Sequence, residues 1–145
     1  MAVKFTLVSA FLCERVLQEK DNVFSAIRIV DIFQIPENAT EETVVRFVAV
    51  VLLKALPSDE SFRIGVTLVR VAGDREKLKD PSGQQYKLTP FEGDQSVPVG
   101  FTLIMQIEVT PKTTGTSYLE VDIDGEIVAR IPFTIRRLQA AAQIQ

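Results

Sequence analysis

Four stretches in the second half of the chain alternate apolar and polar residues with period two. Phe62, Ile64, Val66 and Leu68 alternate with Arg63, Gly65 and Thr67. Phe101, Leu103, Met105, Ile107 and Val109 alternate with Thr102, Gln106 and Glu108. Leu119, Val121 and Ile123 alternate with Glu120, Asp122 and Asp124, and Ile127, Ala129, Ile131, Phe133 and Ile135 with Arg130, Thr134 and Arg136. A strand turns every second side chain to the same face, so this pattern predicts strands with one face on a core and the other in water. Further strands are expected over 3–11, 23–33 and 44–56, and a weaker one over 84–88.

The punctuation agrees with this reading. Asp124-Gly125 between two alternating runs signals a tight hairpin, because Gly tolerates the positive φ of such a turn. Asp80-Pro81-Ser82-Gly83 is a second turn, and Pro57-Ser58-Asp59 and Pro111-Lys112 mark other strand ends. Pro132 lies inside the last strand and cannot donate a ladder hydrogen bond, so that strand is expected to be an edge or to carry a bulge. Helix is scarce: Asn38 caps at most one turn over 38–42. The expected fold is all-β, an antiparallel two-sheet β-sandwich of about eight strands, immunoglobulin-like in general topology. Residues 1–137 form this single domain, and 138–145 form a tail, a short helix or frayed. A chain of 145 residues buries roughly 70% of its unfolded surface and needs no disulfide or metal for a core.

Composition removes most chemistry. The chain has no His, which excludes Ser-His-Asp triads, Cys-His dyads, HExxH zinc sites and histidine pH switches. Cys13 is the single cysteine, so it forms no internal disulfide, which suits a reducing compartment. No two of the seven glycines lie closer than seven residues, so no Gly-rich phosphate cradle exists. The net charge of −3 and scattered Lys and Arg argue against nucleic acid. No apolar run reaches the ~20 residues of a membrane helix. The apolar run after Lys4 is too short for a secretion signal, and Asn38-Ala39-Thr40 is a chance sequon. The expectation is a cytoplasmic protein that is not an enzyme, with no catalytic residues, cofactor or metal, no nucleic acid and no membrane.

Several motifs resemble a known family. Ala10-Phe11-Leu12-Cys13-Glu14, followed by Ile27-Arg28-Ile29-Val30-Asp31, resembles the opening of a family of short bacterial proteins of unknown function. Gly65-Val66-Thr67-Leu68-Val69, Asp80-Pro81-Ser82-Gly83 and the ending around Tyr118, Val121, Asp124-Gly125 and Pro132-Phe133 are similar to it as well. The likeness covers most of the chain; its first block is specific, while the rest recurs in many immunoglobulin-like sandwiches. It implies a β-sandwich in a bacterial, cytoplasmic setting, and no activity or catalytic residues.

Each candidate site has a plainer explanation. Glu120, Asp122 and Asp124, with Glu126 beyond the turn, offer carboxylates roughly 7 Å apart on one strand face; a solvated hairpin face explains them better. Cys13 beside Arg15 offers a thiol, but a small buried residue fits the apolar face of Phe5, Leu7 and Phe11. Tyr118 at a strand start suits a hydroxyl tied back to the backbone, as in the tyrosine corner. The charged stretch 74–80 reads as a solvated turn.

The stretch 44–53, VVRFVAVVLL, is the most informative. Val45, Phe47, Ala49, Val51 and Leu53 form one face; Val44, Val48, Val50 and Leu52 form the other, with Arg46 alone polar. The stretch 23–33 is likewise apolar on both sides. Apolar patches above a few hundred Å² are rarely left in water, so something covers this outer face: either the same chain or a second subunit. The leading expectation is a protein-interaction or assembly module with a protein partner, self or another subunit, and a homo-oligomer through Val44, Val48, Val50 and Leu52. Val48→Glu with Val50→Glu is then expected to release monomer without unfolding. The alternative is a small-ligand or sugar-binding sandwich using end loops 74–80 and 91–96. An enzyme using the 120–126 carboxylates ranks last.

Overall fold

The computed structural model describes residues 4–20, 23–79, 83–111 and 114–139. The strands are β1 (Thr6–Gln18), β2 (Phe24–Ile29), β3 (Ile32–Ile35), β4 (Val45–Ala55) and β5 (Phe62–Val69), then β6 (Arg75–Lys79), β7 (Gln85–Tyr86), β8 (Val99–Val109), β9 (Gly115–Ile123) and β10 (Glu126–Arg137). One sheet has the order β2-β1-β4-β8. The other has the order β3-β10-β9-β5-β6, with β7 paired to β5. In an immunoglobulin sandwich, strands B and E share one sheet and C, F and G the other. Here β4 and β8 take the first pair of places, and β5, β9 and β10 the other three.

The core lies between the sheets. The period-two faces meet there as expected: Ala49, Val51 and Leu53 of β4 oppose Ile64, Val66 and Leu68 of β5 and Leu119 and Val121 of β9, all buried. Aromatic rings close both ends. Phe47 packs on Phe33 and Phe133 at 4.7 and 5.3 Å between centroids, and Phe62 on Phe5 and Phe101 at 4.9 and 5.5 Å. Burying each such side chain contributes about 1.5–3 kcal/mol.

The architecture departs from the sequence expectation in four places. Among the described residues ten strands form rather than about eight, and β3 runs parallel to β10 where the other pairings are antiparallel. The stretch 23–33 is two strands in different sheets. Val30 N–H still donates to Leu12 of β1 at 2.9 Å, whereas the Asp31 carbonyl already accepts from Thr134 N–H of β10 at 2.9 Å, so the chain changes sheets between these two residues. The stretch 75–79, read as solvated turn, is the edge strand β6, which pairs with β5. No α-helix occurs among the described residues; 38–42 forms turns. Leu138 N–H donates to Ile35 at 2.8 Å. Residues 140–145, Val3, Asp80-Pro81-Ser82 and Lys112 lie outside the described residues.

Pro132 has a local explanation. β10 lies between β9 and β3, so it is not an edge strand as a whole. β3 pairs only with Thr134–Arg137, however, so β10 has a single neighbour at Pro132. A register irregularity lies between Ile127 and Ala129, away from Pro132, where the pairing with β9 runs unbroken.

Candidate functional site

The feature that needs explaining is the outer face of the four-stranded sheet. The ladder register places three rows of side chains across β1, β4 and β8: Cys13–Val48–Gln106, Phe11–Val50–Ile104 and Ser9–Leu52–Thr102. Successive rows are two residues apart, so all three share one face. A register shift between Leu7 and Ser9 sets their phase on β1. The strip is bounded at one end by Arg46–Glu108, an ion pair of 2.7 Å, and at the other by Lys54. Between those charges the face is uncharged, and apolar apart from Gln106, Ser9 and Thr102.

β1 continues past β4 and there pairs with β2 alone. Phe24 stands opposite Gln18, nine residues from Ser9, about 30 Å along a straight strand. Yet Phe24, Ser9 and Thr102 line one hollow of about 320 Å³. The β1–β2 hairpin therefore curls back over the outer face. Val16 and Phe11 close on Cys13, Val48 and Val50 to make a second apolar cluster, separate from the inter-sheet core. Val16, Phe24 and Ala26 wall the hollow opposite Val50, Leu52 and Ile104.

This places the four residues of the expected interface. Val48 and Val50 are 7% and 5% exposed within the single chain, and Leu52 is half-buried in the wall of the hollow. Val44 precedes β4 and is exposed. They do not form the one open surface expected of them. The chain's own hairpin covers Val48 and Val50. Five exposed apolar residues, Leu17, Val23, Phe24, Ile29 and Ile32, lie along that hairpin and just after it; others, such as Val8, Val71, Phe91 and Ile127, are scattered over the rest of the surface.

The other candidates are held by structural contacts. Cys13 is fully buried, and burial pushes its thiol above its ordinary range despite backbone hydrogen bonds at Ile27 and Arg15. Phe11 shares its cluster, but Phe5 packs on the inter-sheet core and Leu7 is exposed. Glu120 is 6% exposed and pairs with both Arg75 and Arg130 on the outer face of the second sheet. Asp122 accepts from Gly125 N–H at 3.1 Å, and Asp124 from Arg63 N–H at 2.9 Å. Among the described residues no three metal-ligating side chains converge. Among the described residues Tyr118 does not tie its hydroxyl to the backbone as expected. Its ring lies under Arg130, with the guanidinium carbon 4.3 Å from the ring centroid, a cation–π contact.

The end loops are also self-contained. Asp74 pairs with Arg70 at 3.0 Å before β6 begins. Asp94 accepts from the Ser96 hydroxyl at 2.6 Å and the Ser96 amide at 2.9 Å, and these bonds hold its carboxyl below the usual range. The hollow itself is what sequence reasoning missed. Its one signal is that Val16, Phe24 and Ala26 are apolar on a segment that also carries charges.

Two facing sheets with this strand order define an immunoglobulin-like β-sandwich, distinguished here by a hairpin folded over one outer face. No protein-family model matches the chain, and no curated protein is significantly similar to it. Among solved structures, it is similar to the alkylpurine DNA glycosylase AlkC of Pseudomonas fluorescens bound to DNA containing an abasic-site analogue. The TM-score is 0.47 at 11% identity, over 94% of this chain but only 31% of that one. An immunoglobulin-like protein of Pseudomonas aeruginosa gives a TM-score of 0.45 at 15% identity, over 92% of this chain and 97% of the other. Such low identities leave function to be read from the site itself.

Proposed function

We propose that the chain is a non-enzymatic assembly module that self-associates through the open edge of β2. The contrast between β2 and the other sheet edges carries this reading; β8, the far edge of its own sheet, exposes only Gly100, Thr102, Gln106 and Glu108. Exposed edges are normally guarded by charge, proline or short length. β6, at one edge of the larger sheet, reads Arg-Glu-Lys-Leu-Lys, and β3 at the other edge has only four residues. β2 reads Phe-Ser-Ala-Ile-Arg-Ile, and its Arg28 is tied to Glu14 at 3.2 Å. Around it Val23, Phe24, Ile29, Leu17 and Ile32 are 57%, 44%, 66%, 46% and 51% exposed. A second copy, pairing β2 with β2 about a two-fold axis, satisfies the free backbone groups and covers this apolar fringe in one step.

Light scattering coupled to size exclusion tests it. The expected mass at high concentration is twice the chain's 16.1 kDa. Ile29→Lys, at an exposed position, is expected to give monomer with an unchanged melting temperature. A wild-type monomer at every concentration, or a dimer indifferent to Ile29→Lys, overturns the reading.

A further inference from the structure

We propose that the hollow between the β1–β2 hairpin and the outer face of β4 and β8 binds one small uncharged amphiphile, a medium-chain alcohol or a molecule of that character. The inference rests on the space under the hairpin, which shares only Phe24 with the fringe of the proposed edge pairing. Ligand sites are concave and largely apolar, run from roughly 300 to 1,000 Å³, and carry a few polar groups that fix orientation. The hollow has about 320 Å³ and no charged side chain in its wall. Its apolar wall is Phe11, Val50 and Ile104 below and Val16 and Phe24 above.

Polarity is confined to one row. Ser9 and Thr102 flank Leu52 on adjacent strands and supply two hydroxyls at the same end of the strip. Neither hydroxyl has another partner among the described residues. A ligand that matches this wall has an apolar body and one uncharged hydrogen-bonding end. A carboxylate finds no cation there. At about 30 Å³ per methylene-sized group, the share that water takes in its liquid, the hollow holds a chain of about ten carbons.

The test is a titration with the straight-chain alcohols from 1-hexanol to 1-tetradecanol and with sodium decanoate, read by calorimetry and by melting temperature. One alcohol is expected to bind per chain and to raise the melting temperature. Affinity should rise about fourfold per methylene, as burial of each CH₂ predicts, and level off near ten carbons. Decanoate should bind at least tenfold more weakly than 1-decanol. Ala26→Phe, at an exposed β2 position whose side chain enters the hollow, should abolish binding with the unliganded melting temperature kept. Thr102→Val, on β8, should weaken 1-decanol several-fold. Ile29→Lys is run beside them, because it dismantles the proposed edge pairing. Alcohol binding retained in that variant supports the hollow. Binding lost there places the ligand between subunits and overturns the proposal. So does the absence of saturation, equal binding of decanoate, or indifference to both Ala26→Phe and Thr102→Val.

Discussion

Asp122 of β9 lays its carboxylate over Gly65 of β5, its partner across the ladder. A methyl group on Gly65 would overlap Asp122 Oδ1. The same carboxylate accepts from Gly125 N–H at the hairpin turn, so the glycine leaves room for the side chain that braces the turn. Gly65→Ala must push Asp122 aside and break that bond. The expected cost is about 1–2 kcal/mol, the lost hydrogen bond plus local crowding. Adding Asp122→Ala should make the Gly65→Ala step nearly neutral in a urea double-mutant cycle. Strict additivity would show that Asp122 is not the obstacle.

Glu120 offers a second test on the same face. Its carboxylate is buried while Arg75 and Arg130 remain 56% and 55% exposed. Exposed arginines lose little when unpaired, because water screens them. Glu120→Ala is therefore expected to cost about 1–2 kcal/mol, mostly lost packing and hydrogen bonding. Glu120→Met, of similar volume, should recover most of it. A loss above about 4 kcal/mol in urea unfolding would mean that the ion network, not the filled space, holds this face.

Val48 and Val50 now carry the opposite expectation from the one their sequence pattern suggests. Both are buried under the hairpin. Val50→Glu places a carboxylate among Phe11, Val16 and Ile104 with no partner. It should destabilise the fold by about 4 kcal/mol or more, or prevent folding. Circular dichroism melts of Val50→Glu and Ile29→Lys side by side separate the buried face from the exposed fringe. A folded, fully stable Val50→Glu would show that the hairpin does not cover this position.

Cys13 predicts a pH effect with a definite sign. Burial raises the folded thiol's pKa above its ordinary 9.0. The unfolded chain therefore loses this proton first. Stability is unaffected below pH 9.0, then declines until the folded thiol itself titrates. Cys13→Ala should remove that alkaline decline. Cys13→Ser, which buries a hydroxyl in an apolar cluster, should cost about 1–3 kcal/mol. In native protein the thiol should react with a disulfide reagent only at the rate of unfolding; immediate reaction at neutral pH would contradict its burial.

The alternating strands were legible because each buries one face and wets the other. Their observed ranges, such as Phe62–Val69 and Gly115–Ile123, include every apolar residue read in those runs, while Asp124 falls in the turn. β6 was not legible, since Arg-Glu-Lys-Leu-Lys has no apolar face; it is a strand because β5 offers an open side. The division of 23–33 was equally invisible. Both halves are extended, and the difference between them is only which neighbour receives the hydrogen bonds.

By itself the sequence determined the all-β class, the inward face of each regular strand, the Asp124-Gly125 turn and the absence of histidine chemistry. These follow from local alternation, from backbone limits and from which side chains exist. It also determined that β4 has two dry faces. What covers the second face was decided only in three dimensions, where the β1–β2 hairpin curls over Val48 and Val50 and leaves a hollow beneath it. A period of two tells which way a side chain points, but not what lies beyond it. That depends on how far a twisted hairpin curls, and so on contacts between residues distant in the chain.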